Sequence, residues 1–392
     1  MTGSSRDRDD GPTARAQAWA STAPGHLSAD GVVTAHGDGE PALRPGRALA
    51  RLEREEREEA VLQPGATRAR GAGDRARPEE PDAERTCFER DRDRILHSPA
   101  FRRLAGKTQV FVFPEDHQRT RLTHALEVNQ VATSIARAAR LNVALTEAIA
   151  LGHDCGHGPG GHASEDAFDA FLPGGYDHAV WGADVVLVPL NLCRETLDGV
   201  RNHSWSRPAP ATPEGVVVSW ADRIAYCAHD LEDAVHAGIV STSDLPRDVV
   251  DVCGRTRGEQ LGAFIGGLVE CIQDTGVIGL RPEQAGALAA LRTFNYERIY
   301  TRPEALAQTA AVVRVLRALV DHYVEHPGEL PPDFSPTAEP GPSAPGGADV
   351  APAVRAAVAY VGGMTDRYAF RTAARVLGWR TDDLPDAASP LA

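Results

Sequence analysis

The chain has 392 residues and a formal net charge of −14, because 55 aspartates and glutamates outnumber 41 lysines and arginines. This length allows a large buried core, and the acidic balance argues against stable binding to nucleic acid or anionic lipid, although single-stranded DNA is not excluded. No apolar run is long enough to span a bilayer and residues 1–10 are polar, so we expect a cytoplasmic protein without a membrane partner.

Residues 1–45 are rich in Gly, Ala, Ser, Asp and Arg and have no hydrophobic period. Such a segment cannot bury enough apolar surface to offset the entropy lost on ordering, so it is predicted to be a disordered tail. In the next segment, 46–85, residues 48–62 place opposite charges three and four positions apart, which predicts a short solvated helix. The rest of that segment is rich in Gly, Arg and Pro and predicts a loop.

From residue 86 to residue 325 the sequence reads as successive helices. Apolar residues recur at helical spacing over 123–139, and a second helix is expected from 143 to the glycine-rich turn H-D-C-G-H-G-P-G-G-H. Further helices are predicted at 215–236, opening near Pro213, and at 305–323. Alternating strand patterns and internal repeats are absent from the sequence, so we predict an all-α fold.

A dense Pro/Gly/Ser/Ala cluster at residues 326–352 predicts an exposed linker. Beyond it, residues 353–380 are expected to form a C-terminal helix that packs back on the body, because Val354, Val358 and Val361 fall on one apolar face.

Histidines and aspartates recur along the predicted helices at His124, at the adjacent pair His153 and Asp154, and at Asp222. Imidazole and carboxylate groups converging from several helices suit a divalent metal such as Mn, Mg, Fe, Co, Ni or Zn. Adjacent helical residues point about 100° apart, so a neighbouring pair reaches one ion only where a helix ends, as the following glycines indicate. Taken singly, each residue is more often a hydrogen-bonded structural group. The ordered set predicts one metal ion per site.

The six cysteines are scattered without a C-x-x-C pair, which argues against a structural zinc site or a redox dithiol. Among the 41 basic residues only Lys107 is a lysine. Because lysine and arginine present charge differently, a lysine retained in an arginine-rich chain is a candidate for a specific role, with chance survival as the alternative.

Several ordered blocks resemble one known family. They are R-D-R-D-R-I-L-H-S-P-A-F-R-R-L (90–104), K-T-Q-V-F (107–111), R-T-R-L-T-H-A-L-E-V (119–128), H-D-C-G-H-G-P-G-G-H-A-S-E-D-A (153–167), G-G-Y-D-H-A (174–179), A-D-R-I-A-Y-C-A-H-D-L-E-D (221–233) and G-M-T-D-R-Y-A (363–369). The chain resembles the HD-domain superfamily of metal-dependent phosphohydrolases and, within it, the deoxyguanosinetriphosphate triphosphohydrolase family. The resemblance implies an HD-domain helical bundle with extra C-terminal helices, and hydrolysis of deoxynucleoside triphosphates to deoxynucleoside and triphosphate.

The resemblance also implies roles for individual residues. His162 and Glu165, three apart and so on one helical face, would form a catalytic dyad, while His157 and His178 would contact phosphate or protonate the leaving oxygen. For His178 a purely structural role is an equal alternative. The remaining implied contacts are with the polyphosphate, from Arg102, Arg103, Lys107 and Arg121, and with the deoxyribose, from Gln109, Tyr226 and Asp230. Surface solvation is the alternative for Arg102 and Arg103.

The sequence departs from the family pattern at Gly160, where Phe is usual, and at Ala179 and Trp181, which replace polar groups. These changes leave every expected metal ligand in place, but they could alter base preference. Two alternatives stay open: an HD-type hydrolase acting on a nucleoside monophosphate, cyclic dinucleotide or alarmone, and a catalytically dead nucleotide-binding regulator. The resemblance further implies a homo-oligomer. Whether a regulatory nucleotide binds as a second ligand is left open by the sequence.

Overall fold

The structure, a computed structural model, describes residues 11–37, 43–114, 116–334, 350–380 and 384. Across these residues the all-α fold class is confirmed, since the described chain forms sixteen α-helices and its strands are confined to a two-stranded hairpin. The helices are α1 (Ala14–Ser21), α2 (Arg51–Val61), α3 (Cys87–Leu96), α4 (Pro99–Arg103), α5 (Arg121–Ala138), α6 (Val143–Gly152), α7 (His162–Phe168), α8 (His178–Trp181), α9 (Arg194–Arg201), α10 (Pro213–His236), α11 (Arg247–Cys253), α12 (Arg257–Thr275), α13 (Pro282–Asn295), α14 (Pro303–Glu325), α15 (Pro352–Gly362) and α16 (Asp366–Leu377).

An N-terminal unit ends at Ala48 and contains α1 and an antiparallel hairpin of β1 (His26–Leu27) and β2 (Val33–Thr34). Residues 11–37 of the predicted disordered tail are described, and there Thr13 accepts a hydrogen bond from the Ala16 amide at the start of the local helix α1. As the composition predicts, no residue of 11–37 is buried. Residues 1–10 and 38–42 of the predicted tail lie outside the described residues.

The second unit starts at Leu49. Its buried apolar side chains form several clusters. The larger cluster joins α5, α6, α10, α12 and α13 through buried side chains that include Val128, Val131 and Ile135, the apolar stripe expected from the sequence. Another cluster joins α7, α14, α15 and α16. Helix α10 begins at Pro213, as predicted, because Thr212 caps it by accepting the Gly215 amide at 3.1 Å.

The terminal segment forms two helices, α15 and α16, instead of the single helix expected from its periodicity, and the break falls between Gly362 and Asp366. Both helices contribute buried residues to the α7–α14 cluster. Of the predicted linker 326–352, residues 335–349 lie outside the described residues, and the preceding part contains short 3-10 turns at Pro327–Glu329 and Pro332–Phe334. Among the described helices, none combines the length and the apolar character needed to cross a membrane.

Asp366 and Lys107 tie the C-terminal helices to the glycine-rich turn. Asp366 Oδ1 accepts the Gly160 amide at 2.8 Å, and its Oδ2 accepts the Thr108 amide at 2.9 Å and the Thr108 hydroxyl. The Lys107 ammonium donates to the carbonyls of His157 and Gly362. Lys107 and Asp366 are both buried. We call this pair the Lys107–Asp366 clasp.

We predict that Asp366→Ala lowers the free energy of unfolding by about 2–4 kcal/mol, because three buried donors lose their acceptor. Chemical denaturation measures the change. The matched control is Asp274→Ala, which removes a carboxylate that is 63% exposed and paired with Arg281, and which should shift stability by under about 0.5 kcal/mol. Equal denaturation midpoints for the two variants would contradict the clasp.

Candidate metal centre and active site

The four predicted metal ligands converge in one buried cluster. His124 comes from α5, His153 and Asp154 from the end of α6, and Asp222 from α10. The Nε2 atom of His124 lies 3.1 Å from Asp222 Oδ1 and 3.9 Å from Asp154 Oδ2. The Nε2 atom of His153 lies 3.5 Å from Asp154 Oδ1 and 3.7 Å from Asp222 Oδ1. Helix α6 ends at Gly152, so the adjacent pair reaches the same space, as the glycines indicated.

The donor set fits a divalent metal. His153 donates from Nδ1 to the Ala150 carbonyl at 2.7 Å, which leaves its buried Nε2 as an acceptor without a hydrogen-bond partner, facing the two carboxylates. Burial alone would raise the pKa of Asp222, but its hydrogen bond with His124 holds it below its usual range. The pKa of Asp154 is likewise held low, against burial, by nearby basic groups that include Arg121. The buried Asp154 carboxylate, the Asp222 carboxylate, which is 21% exposed, and an imidazole nitrogen with a free lone pair together favour a bound cation.

Glu165 links two histidines on α7 and α8. Its Oε2 lies 2.8 Å from His162 Nδ1, and its Oε1 lies 2.8 Å from His178 Nδ1 and accepts the His178 amide at 3.0 Å. Burial would raise the pKa of Glu165, but these two imidazoles outweigh it and keep the carboxyl ionised. The predicted pair His162 and Glu165 is therefore in contact. The ring of His157 stacks on His178 with centroids 3.7 Å apart, so all four proposed catalytic side chains form one group.

A cavity of about 470 Å³ opens beside this cluster. Its lining includes ten of the predicted site residues: His124, Asp154, Asp222, His157, His162, His178, Gln109, Arg121, Tyr226 and Asp230. Arg121 is buried, pairs with Asp154 through Nη1 at 2.7 Å, and keeps Nε and Nη2 without partners. A buried guanidinium with free donors is suited to an anionic oxygen.

The structure does not bring the other predicted polyphosphate contacts into this cavity. Arg102 and Arg103 are absent from its lining, and the Lys107 ammonium is engaged in the clasp. Lys107 was expected to contact the polyphosphate. Its side chain is instead buried and donates to the main-chain carbonyls of His157 and Gly362. Sequence reasoning missed other cations that do line the cavity, namely Arg223, Arg292 and Arg302. Their signal in the sequence was weak, since arginine is abundant throughout the chain.

The deoxyribose contacts implied by the resemblance, Gln109, Tyr226 and Asp230, all line the cavity. Asp230 Oδ2 accepts the hydroxyl of Tyr300 at 2.5 Å, and the Tyr226 hydroxyl accepts Arg292 Nε at 2.9 Å. Burial raises the pKa of Asp230 to about 7, and its Oδ1 has no partner. The Oε1 atom of Gln109 is also buried and unpaired. These unpaired acceptors provide hydrogen-bonding capacity for a polar ligand.

The backbone conformation at Gly160 and Gly161 explains why glycine stands at position 160, where the family usually has Phe. Both have positive φ, 73° and 62°, a conformation that favours glycine. A Cβ at Gly160 would collide with Val312 of α14, and one at Gly161 would lie 2.6 Å from Arg121 Nη2. Glycine at 160 is therefore required by this backbone and by the neighbouring α14.

Two family models match the chain. The HD domain matches residues 121–227, a range that contains every predicted metal ligand, and the phosphohydrolase-associated domain matches residues 278–375. Together with the helical fold and the His/Asp cluster, these matches place the chain among the HD-domain phosphohydrolases.

Comparison with curated relatives identifies the family within the HD-domain phosphohydrolases to which the chain belongs. The chain is 41% identical over 322 residues to a deoxyguanosinetriphosphate triphosphohydrolase-like protein of Caldanaerobacter subterraneus subsp. tengcongensis, covering 80% of this chain and 92% of the relative. Proteins of the same description match from Clostridium perfringens (39% identity, 75% and 87% coverage) and Roseobacter denitrificans (35%, 79% and 95%). The chain belongs to the deoxyguanosinetriphosphate triphosphohydrolase-like family, which confirms the resemblance.

We predict that Lys107→Met changes how stability depends on pH. Burial, with the nearby Arg103, lowers the pKa of Lys107 to about 7, against about 10.4 in the unfolded chain. Between these values the native state binds fewer protons than the unfolded state, so this lysine makes stability rise with pH. The methionine variant lacks that component, and it should therefore lose least relative to wild type near pH 6 and most near pH 9.

Urea denaturation of both proteins across this pH range measures the difference. Because both chains share all other titrating groups, subtracting the two curves isolates the lysine. A stability gap that stays constant from pH 6 to pH 9 would contradict a buried Lys107 with a depressed pKa.

Proposed function

We propose that the protein hydrolyses deoxynucleoside triphosphates, dGTP or dNTPs more broadly, at the α-phosphorus to give deoxynucleoside and inorganic triphosphate. The observation that carries the proposal is that His124, Asp154 and Asp222 of the His/Asp cluster line one cavity together with His162 and several arginines. The names of the relatives support a guanine nucleotide as one substrate. The preferred base is left to experiment.

His124, His153, Asp154 and Asp222 would hold one divalent ion. When bound, the ion supplies Lewis acidity to a phosphate oxygen. Mn, Fe, Co, Ni and Zn suit the mixed imidazole and carboxylate set best, and Mg is the hard-cation alternative. The physiological ion is a question for metal analysis of the purified protein.

In this proposal His162 acts as the general base. Its Nδ1 is held by Glu165, which fixes the ring and its tautomer, and the opposite nitrogen is then able to take a proton from water. His178 is held by the same carboxylate and is placed to give a proton to the leaving 5′ oxygen. Arg121, with free Nε and Nη2, would bind phosphate oxygens, and Arg223 and Arg292 would bind the rest of the triphosphate.

At the sugar end, Asp230 and Gln109 would accept from or donate to the 3′-hydroxyl, while Tyr226 would pack under the ring and crowd a 2′-hydroxyl. A homo-oligomer remains a prediction of the resemblance, a cytoplasmic location remains a prediction of the sequence, and a regulatory nucleotide stays an open alternative. The alternatives are an HD hydrolase for another nucleotide, which the several cavity arginines argue against, and a dead regulator, which the intact His162–Glu165 contact argues against.

Product analysis tests the function. Purified protein is incubated with each dNTP, each rNTP and dGMP, with Mn²⁺ or Mg²⁺, and products are separated by ion-exchange chromatography. Reaction in ¹⁸O-labelled water assigns the cleaved bond: water attack at the α-phosphorus puts the label in the triphosphate. Release of monophosphate from a dNTP would contradict the proposal. Cleavage of dGMP alone, or nucleotide binding without turnover, would each replace the proposal by one of its alternatives.

We predict that His153→Ala and Asp154→Ala abolish turnover and weaken metal binding, because each removes a ligand from the candidate centre. Metal content after desalting and turnover of dGTP are measured together. His322→Ala, which removes a histidine of another His–carboxylate pair (His322 to Glu329, 2.9 Å), serves as the control and should change neither. Full metal content in the His153 and Asp154 variants would remove the assignment.

For His162→Ala and Glu165→Ala we predict retained metal and a kcat lower by about 10²- to 10⁴-fold, as expected for loss of a general base or its orienting partner. Steady-state kinetics and metal analysis on the same samples separate this pattern from that of the ligand variants. Loss of metal in either variant would instead make that residue a ligand.

A further inference from the structure

Trp205 and Arg223 stack on each other at the cavity. The guanidinium carbon of Arg223 lies 3.4 Å from the centroid of the Trp205 ring, and both side chains line the cavity. An N–H directed at the ring would hold that carbon farther away, so the two planar groups lie face to face. The face of an indole attracts a guanidinium, and the attraction increases where water is excluded. Arg223 follows Asp222 on α10, so the helix that supplies a candidate metal ligand also carries the stacked cation.

The Trp205 ring is itself fixed, although 44% of the residue is exposed. Its Nε1 donates to the Ser219 carbonyl at 3.0 Å, and its ring meets that of Trp220 edge-on with centroids 4.6 Å apart. Ser219 lies on α10 one turn before Arg223. The main chain of α10 therefore helps to set the plane of the indole, and the indole sets the plane of the guanidinium.

The other arginines at the cavity are oriented by hydrogen bonds. Each of the three others that line it in the described part of the chain uses an N–H on a protein acceptor: Arg121 on the Asp154 carboxylate, Arg292 on the Tyr226 hydroxyl and Arg302 on the Ile299 carbonyl. The Nε atom of Arg223 is instead buried without a hydrogen-bond partner. An aromatic face attracts a guanidinium without occupying its N–H donors, which stay available at the edge of the plane. Arg223 is thus held in place and still able to donate to anionic oxygens.

We propose that Trp205 is a positioning residue, which holds Arg223 so that its guanidinium donates to the triphosphate of the substrate. The inference rests on the proposed function, in which Arg223 binds part of the triphosphate. Without the indole, the arginine side chain would sample more rotamers, and the ligand would have to restrict them on binding. Trp205 therefore contributes to affinity through Arg223.

Direct stacking on a nucleobase is the other role that an exposed indole could have in a nucleotide cavity. One face of the Trp205 ring is occupied by Arg223, and the ring also packs against Trp220. The two roles differ in a measurable way. Positioning acts on the bare triphosphate and only while Arg223 is present, whereas stacking on a base needs the base and is independent of Arg223.

A double-mutant cycle on triphosphate binding tests the proposal. Sodium triphosphate is titrated calorimetrically into the full chain in buffer with MgCl₂, for wild type, Trp205→Leu, Arg223→Ala and the double variant. We expect Trp205→Leu to weaken binding by about 3- to 30-fold, the range of a cation–π contact. In the Arg223→Ala background the same substitution should change the dissociation constant by less than about two-fold, because the group that Trp205 orients is gone.

Two further variants serve as controls. Trp205→Phe keeps an aromatic face and should retain most of the wild-type affinity. Trp379→Leu is the matched control, because Trp379 also faces an arginine, Arg314 at 5.9 Å, but is absent from the cavity lining. It should bind triphosphate as wild type does. Melting curves establish that the variants are folded, and if Trp205→Leu does not fold, Trp205→Met replaces it, since methionine also lacks an aromatic face.

Unchanged binding in Trp205→Leu, or an equal loss with and without Arg223, would overturn the positioning role. Equal losses in Trp205→Phe and Trp205→Leu would also overturn it, because the aromatic face would then have no effect. Turnover of dGTP by the same wild-type sample separates these outcomes from failure of the proposed function. Turnover with an additive cycle, or without triphosphate binding, removes only the role of Trp205, whereas absence of both turnover and triphosphate binding removes the proposed function and this inference with it.

Discussion

The buried carboxylate of Asp154 is the interaction on which the site depends. Its Oδ2 accepts Arg121 Nη1 at 2.7 Å, and its Oδ1 lies 3.3 Å from His157 Nε2 and 3.5 Å from His153 Nε2. Burying an ionised carboxylate without partners would destabilise the folded state by far more than a single hydrogen bond stabilises it. The folded state therefore requires these partners. These partners come from α5, the end of α6 and the glycine-rich turn. The need to pair this one carboxylate therefore determines how α5, the end of α6 and the glycine-rich turn pack together.

Much of the fold could be predicted because its signals are local. The apolar spacing of Val128, Val131 and Ile135 on α5, and the Thr212–Pro213 start of α10, depend only on neighbouring residues. The break between α15 and α16 could not be read from periodicity, since it depends on Asp366 reaching the Gly160 amide far away in sequence. Composition gave no sign of the short exposed helix in the N-terminal unit, because that helix depends on one local capping hydrogen bond of Thr13.

The candidate site divides in the same way. The order of His124, His153, Asp154 and Asp222 was readable, because metal ligands combine a residue type with a helical position. His203, which also lines the cavity, could not be predicted from the sequence, since a lone histidine after a helix carries no local mark of its neighbours. Lys107 stood out by composition, but its unusual property is burial against two carbonyls, which only tertiary structure determines. Because arginine is abundant throughout the chain, the sequence did not distinguish the arginines that line the cavity from the others.

The Lys107–Asp366 clasp has a consequence for the order of events during synthesis. The ribosome synthesises all four candidate ligands, the last of which is Asp222, before it adds Gly362 and Asp366. Until then, Gly160 lacks the acceptor that holds the glycine-rich turn, and the Lys107 ammonium lacks one of its two carbonyls. Chains generally fold from the N-terminus as they emerge. A nascent chain can thus assemble its ligand-bearing helices early, while the turn that carries His157 and leads into α7 attains its final conformation only when translation is nearly complete.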